Sequence, residues 1–429
     1  MQTENYLAAV KAQYEALPYP PVDPRDEHKR LARTWLDDLP MINHYCFGGR
    51  QNFADGFRVL VAGGGTGDAT IFLAEQLRAS NARIVHVDLS SASIGIARER
   101  AAIRKLDNIE WRQESLLDLP RLGLEPFDYI NCVGVLHHLA DPEAGLRALQ
   151  AVLKPNGAIG LMLYGAIGRI GVYHMQEMLR LTGASVPVRE RIVQAKELLG
   201  SLPASNWYRM AGDLYNDRDT DAGIVDSLLH PQDRAYTVPQ LYDWLHERAG
   251  FALAFSDVHR GRFPYMPELT LGHDAHALRA RLGGMAVRER QALAELLIGD
   301  VTRHNLYLTH GAAAAVYGDA TLVPFYFHEQ LDSKVLASMF AFKKGQPTIL
   351  RHEFIGMTAA VPTGPYCGRI FSFIDGKRSF QQIFDLVRAG LRINGVTALP
   401  DNSALFADFR PAYDVLNAIE RILLRAPAA

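Results

Sequence analysis

Between Phe57 and Tyr164, short apolar runs rich in β-branched residues alternate with longer stretches whose apolar residues recur at three- and four-residue spacing. The runs FRVLVA, ARIVHV, NIEWRQ, FDYINCV and AIGLMLY predict strands; Asp68–Ala79, Ser90–Arg104 and Pro142–Leu153 predict the helices between them, with Pro155-Asn156-Gly157 stopping the last. Such alternation is the mark of βαβ units on a parallel sheet, and so of an α/β fold. After Tyr164 the pattern turns mostly helical. Thr237 opens a helix that Gly250 ends, and FALAFSD and RHNLYLT predict two late strands on the sheet edge.

The small-residue stretch Gly311–Gly318 marks a boundary. Beyond it, a helix at Ser333–Lys343, a strand-like ILRHEFIGM, an apolar segment before an Asp375-Gly376 turn, and an amphipathic helix capped by Ser379 predict a small α+β lobe, winged-helix-like in outline. The chain therefore divides into an N-terminal lid or cap segment (1–56), an α/β domain (57–312) with a helical insertion at about 165–235, and a C-terminal domain (313–429).

With 429 residues, 48% of them hydrophobic and 21% charged, the chain buries a large core. Its 45 basic and 47 acidic residues balance to a formal charge of −2, which gives no general attraction to nucleic acid or to an anionic membrane. Neither is expected as a partner. Cys46, Cys132 and Cys367 form no CxxC pair, so a reducing, cytoplasmic setting is expected and a thiolate metal site is not. The longest uncharged apolar-rich run, Pro155–Gly168, is well short of the ~20 residues that cross a bilayer.

The chemistry is concentrated in VLVAGGGTGDAT. Gly63, Gly65 and Gly67 follow the first strand, but Asp68 stands where a dinucleotide fingerprint has its third glycine, and no Walker lysine follows. A carboxylate at that helix start repels a phosphate competing for the same amides. The turn suits a ligand without phosphate and with positive charge, such as S-adenosylmethionine, for which the glycines only let the backbone approach closely. Asp88 ends the second strand, where a carboxylate accepts hydrogen bonds from both ribose hydroxyls.

In VLVAGGGTG, VHVDLS, FDYINCVGVLHHLADP and LKPNGAIGLMLY, in this order and spacing, the chain resembles the class I S-adenosylmethionine-dependent methyltransferases over about residues 57–165. The resemblance implies a Rossmann-like, doubly wound, seven-stranded sheet with the cofactor across the carboxyl ends of its strands. It places Gly63, Gly64, Gly65, Gly67, Asp68, Asp88 and Leu89 around the nucleoside, Glu114, Ser115 and Leu116 near the adenine, and Val133 to His137 on the methionine side. Two positions depart from the family pattern: Val61 and Ser115 stand where many relatives carry acids. MINHYCFGGRQNF, just upstream, has a composition unusual for a linker, so Asn43 and His44 are expected to close over the methionine end in place of the missing Val61 acid.

Methyl transfer is an in-line displacement that depends on alignment, with a base needed only for a protonated acceptor. The candidates for contact with the acceptor are His137, His138, Tyr164, Tyr14 and Tyr19. The aromatic, proline-rich YEALPYPPVDP is a candidate lid. The histidine pair has no third ligand at metal spacing, so no metal is expected. The acceptor is read as an N or O atom of a small molecule or peptide; a non-catalytic S-adenosylmethionine sensor is the other reading. Homodimerisation, peptide binding and completion of the acceptor site all remain open for the C-terminal lobe.

Overall fold

The computed structural model describes residues 2–183, 186–215, 219–256, 265–271, 274–328, 331–344, 346–352 and 357–427. The chain forms two units, one from residues 1–39, 52–253 and 299–311 and the other from 40–51, 254–298 and 312–429. The second unit thus takes in two segments that precede residue 312 as well as the stretch after it.

The first unit is built on a mostly parallel sheet. Its strands are β1 (Arg58–Ala62), β2 (Arg83–Asp88), β3 (Ile109–Gln113), β4 (Phe127–Val133), β5 (Leu153–Gly165), β6 (Ala235–Tyr236), β7 (Ala252–Phe255) and β8 (Arg303–Thr309). Seven run in the order β3-β2-β1-β4-β5-β8-β7, and the short β6 pairs with β5 off this path. β1 is parallel to β2 and β4, whereas β8 runs antiparallel to β5. Val59 to Ala62 and Ile84 to Val87 are buried without alternation, because helices cover both faces of a parallel sheet. The predicted helices are α3 (Asp68–Gln76), α4 (Ser91–Arg104) and α5 (Pro142–Ala151) in the chain's order, behind α1 (Gln2–Ala16) and α2 (Leu39–Cys46).

The second unit has its own core, in which Phe340, Phe371, Phe380, Phe384 and Phe409 are fully buried. Strands β9 (Val323–Tyr326) and β12 (Ile422–Arg425) pair antiparallel, as do β10 (Thr348–His352) and β11 (Met357–Val361). ILRHEFIGM is thus the two arms of a strand pair, with residues 353–356 outside the described set. The apolar segment ahead of Asp375 is a helix, Cys367–Phe371, while Ser379 caps Phe380–Ile393 in a capping box with Gln382.

A buried ion network ties the N-terminal segment to the first unit. Arg100 lies on α4, almost wholly buried, and its guanidinium reaches Glu27 at 2.7 Å, Asp68 at 2.7 Å and the Thr66 carbonyl at 2.8 Å. Arg104 also binds Glu27. Removing one partner strands the other charge in a dry site. Arg100→Met should cost about 3–5 kcal/mol in denaturant unfolding, and the double variant with Glu27→Gln should cost less than the sum of the two single changes.

Asp37 is fully buried and receives hydrogen bonds from Thr34 Oγ1 (2.6 Å) and Asn131 Nδ2 (2.8 Å). Burial nevertheless dominates and pushes its pKa up to about 6. A folded-state value above the unfolded one means that the proton stabilises the fold and that this contribution is lost as pH rises from about 4 to 6. Asp37→Asn should therefore match the wild-type melting temperature near pH 4 and gain on it steadily up to about pH 7, as read by calorimetry across that range.

Candidate functional site

The turn after β1 is fastened to the end of β2. Gly63 N and Gly64 N donate to the Val87 carbonyl at 2.8 and 3.2 Å. Gly63 has φ +73°, and a side chain there would meet Val135 at 2.5 Å; Gly67, at φ +99°, would meet Ala97 at 2.7 Å. Glycine is required at both positions by conformation and by space. Asp88, at the tip of β2, accepts from Gly65 N (2.8 Å) with one carboxylate oxygen and from Ser90 N (2.8 Å) with the other. Burial raises its pKa, and these amides oppose that effect. Each oxygen keeps a lone pair for a further donor.

Next along the strand tips, Glu114 N donates to the Asp88 carbonyl (3.1 Å). Ser115 is buried and caps a short helix at Leu117 N, with Leu116 buried behind it. Leu89 is half-buried, and Val133, 38% exposed, ends β4. The residues assigned to the nucleoside thus lie at or just after the carboxyl ends of β1, β2 and β3. Asp68 also starts its helix there, but its carboxylate turns to Arg100, which gives it a structural partner.

Asn43 and His44 lie in the second unit, and their polar atoms are engaged there. The His44 ring is buried between the Leu424 backbone, with Nδ1 3.0 Å from its N–H, and Asn417 Nδ2, 3.2 Å from Nε2. Asn43 Oδ1 accepts from Gln51 N (2.9 Å). A side chain at Gly49 would come within 2.7 Å of Arg425 Cα. The unusual composition of this segment goes with close packing on β12, which occupies the His44 ring and Asn43 Oδ1 that the sequence reading assigned to the methionine end of the cofactor.

The N-terminal segment lies on the glycine turn. The Tyr19 carbonyl accepts from Thr66 N (3.4 Å), and the Pro20 carbonyl from Thr66 Oγ1 (2.8 Å). Tyr14 OH donates to Asp226 Oδ1 (2.8 Å), and Tyr164 OH reaches Asp226 Oδ2 at 3.4 Å. The Tyr14 carbonyl accepts from Ser90 Oγ (3.1 Å), which places this pair beside the loop that Asp88 opens.

Around Tyr164 the chain packs an aromatic and imidazole cluster. The His137 ring stacks on Tyr164 (3.8 Å between centroids) and meets His138 edge-on (4.3 Å), while His138 lies 3.9 Å from His230. Arg169 sits 3.6 Å over the Tyr164 ring and pairs with Asp233 (2.8 Å), which also accepts from Tyr173 (3.2 Å) and Gln176 (2.6 Å). Burial lowers the pKa of His138 and of His230 to about 4, and that of His137 well below the usual value. All three rings are neutral at pH 7. Among the described residues, no three His, Cys, Asp or Glu side chains converge as a metal set.

The structure thus brings together His137, His138, Tyr164 and Tyr14, with Tyr19 on the adjoining turn. It adds Asp226 and Arg169, which sequence reasoning missed, and His230 and Asp233 of HPQDRAY, a segment whose charged groups could orient an acceptor but which reads more readily as a solvated turn; both side chains are buried. An acid inside the apolar run DAGIVDSLL was the available signal for Asp226. An open pocket of about 480 Å³ adjoins the cluster, lined by Asp141, Glu143, Arg234, Tyr236, Trp244 and Arg248; Arg234 N donates to the His137 carbonyl (3.2 Å).

A sequence profile described as "Methyltransferase domain" matches residues 60–159. An uncharacterized protein of Synechococcus sp. is 34% identical over 312 residues, 71% of this chain and 72% of that one. A ubiquinone biosynthesis O-methyltransferase of Acinetobacter baylyi is 29% identical over 153 residues, 32% of this chain and 61% of that one. Among solved structures, PKMT2 from Rickettsia typhi superposes with a TM-score of 0.59 at 15% identity, covering 91% of this chain and 76% of that one, a likeness of fold. The same protein has been solved in complex with AdoHcy.

Losing one charged acceptor should cost about 10- to 100-fold in affinity. Asp88→Ala is expected to weaken S-adenosylhomocysteine binding by that factor in calorimetry, while Asn43→Ala leaves it unchanged.

Proposed function

We propose, from the premise that the chain belongs to the class I S-adenosylmethionine-dependent methyltransferases and takes S-adenosylmethionine as its cofactor, that it methylates a hydroxyl oxygen of a small organic acceptor. The residues present fit the cofactor. Asp88 keeps lone pairs for a ribose diol, and the Gly63–Gly67 backbone admits close approach. When bound, S-adenosylmethionine supplies an electrophilic methyl group on a cationic sulfur.

The choice of oxygen is carried by one observation: the acceptor side presents neutral imidazoles while its carboxylates are already engaged. A protonated amine needs a free carboxylate to hold it and lower its charge. Here Asp226 is taken by Tyr14 and Tyr164, and Asp233 by Arg169, Tyr173 and Gln176. A hydroxyl arrives neutral and must lose its proton as the new bond forms, a task suited to an uncharged imidazole. The relatives named as O-methyltransferases support the same choice. The 480 Å³ pocket falls in the size range of small-molecule sites, with Tyr236 and Trp244 as its aromatic wall.

The chain's residues then have distinct tasks. Tyr14 and Tyr164 close the floor through Asp226. The segment at Tyr19 and Pro20 covers the turn and excludes water. Arg169, stacked on Tyr164 and neutralised by Asp233, fixes the ring against which an acceptor packs.

Incubation with tritium-labelled S-adenosylmethionine and two sets of acceptors, phenols and catechols against primary amines and lysine peptides, tests this reading. Label is expected in methyl ethers. Label confined to amines, or no turnover with either set, would refute the oxygen assignment.

A further inference from the structure

His230 is buried, and its Nε2 is sealed from solvent with no hydrogen-bond partner. A ring nitrogen left in this state loses the full worth of its hydrogen bond unless a ligand supplies the missing group. Nδ1 of the same ring is in short contact with the Gln232 carbonyl. His138 Nδ1 reaches that same carbonyl oxygen at 2.8 Å. A carbonyl has two lone pairs and no proton, so it accepts from both rings only if both carry hydrogen on Nδ1. Gln232 N also lies 3.1 Å from His230 Nδ1. Were that N–H the donor, Nδ1 would carry a lone pair pressed against the closer carbonyl oxygen, a repulsive arrangement.

One backbone oxygen thereby fixes two adjacent imidazoles in the Nδ1–H tautomer and leaves their Nε2 atoms as proton acceptors. His137 has no such partner on either nitrogen, is wholly buried and stacks flat on Tyr164, which makes it a packing group. The His230 ring instead lies 6.3 Å from that of Tyr14, whose hydroxyl group binds Asp226. Resting on the oxygen-acceptor reading, we propose that His230 Nε2 is the general base that takes the proton of the acceptor hydroxyl, with the Gln232 carbonyl setting its tautomer. In that step the hydroxyl proton passes to Nε2 and an oxygen lone pair becomes the O–CH3 bond. The electron pair of the broken C–S bond stays on the departing thioether sulfur, and the imidazolium gives its proton to water that reaches Nε2 once the product has left.

Two measurements test the assignment. Long-range proton–nitrogen spectra of protein labelled with 15N-histidine, assigned with His230→Gln and His138→Gln, should show Nε2 of both rings unprotonated and Nδ1 protonated at pH 7. An Nε2–H tautomer at His230 would overturn the proposal whatever the acceptor. In assays with 3,4-dihydroxybenzoate or another hydroxyl probe that wild type methylates, His230→Ala and His230→Gln should lose about 10²- to 10⁴-fold in kcat. Both should bind S-adenosylhomocysteine as wild type does, and added imidazole should partly restore only the alanine variant. Retention of wild-type kcat in both variants would overturn the base assignment and leave the methyltransferase reading intact. Methylation of amines alone by wild type would remove the oxygen reading and with it the kinetic role of His230.

Discussion

The Asp88 carboxylate is the point on which the first unit's chemistry depends. One oxygen holds Gly65 of the turn that follows β1, and the other holds Ser90, which opens α4. A single buried acid at the end of a strand therefore sets the spacing between two βα connections. The backbone amides it gathers are those a bare helix start would leave to water. Because each bond runs from an amide to a charged acceptor, burial raises the acid's pKa without removing the value of either contact. The same oxygens that order the turn are those on which a sugar diol would rest, so local folding and ligand recognition draw on one group.

Covering this turn requires the N-terminal segment to stay in place, and its fastening is ionic where the chain is least apolar. Glu27 is buried between Arg100 and Arg104, and Arg100 continues to Asp68 and the Thr66 carbonyl at the base of the glycine turn. Further along, Glu15 accepts from Ser91 N (2.7 Å) and Ala92 N (3.1 Å) at the start of α4. The segment that lies over the turn is thus anchored on both sides by carboxylates directed at helix starts or at buried guanidinium groups, an arrangement that favours negative charge at helix N-termini. Between these anchors, the Tyr19 and Pro20 carbonyls accept from Thr66.

The parallel sheet and the glycine turn were legible in the sequence because they rest on local patterns: β-branched runs, three-residue apolar spacing, and glycines where the backbone takes positive φ. The Asp375-Gly376 turn and the Ser379 cap were legible for the same reason. What was not legible depends on contacts far apart along the chain. Residues 40–51 look like a second ligand loop because amides, aromatics and paired glycines serve equally well to pack a segment against β12. Likewise, HPQDRAY looks solvated until Arg169, more than fifty positions earlier, pairs with Asp233. Burial of a charged residue depends on where its partner folds, which spacing within one segment does not encode. The apolar segment before Asp375 turned out helical because its aromatic residues pack a core made by other helices rather than a sheet face.

Electrostatics links the two halves of the site. Three buried imidazoles that carried charge would repel a cationic ligand across a medium in which charges are poorly screened. Burial prevents this by keeping them neutral. The one cation in the cluster, Arg169, is matched by Asp233 and stacked on Tyr164, so it adds little net positive field. Asp88 is the carboxylate that keeps lone pairs for a ligand, whereas Asp226 is held by Tyr14 and Tyr164. A cationic cofactor is favoured on entry, and an imidazolium formed during turnover would sit near carboxylates rather than near an unmatched cation. Desolvation thus keeps the imidazoles uncharged beside a site for a cationic ligand, while Asp233 offsets the charge of Arg169.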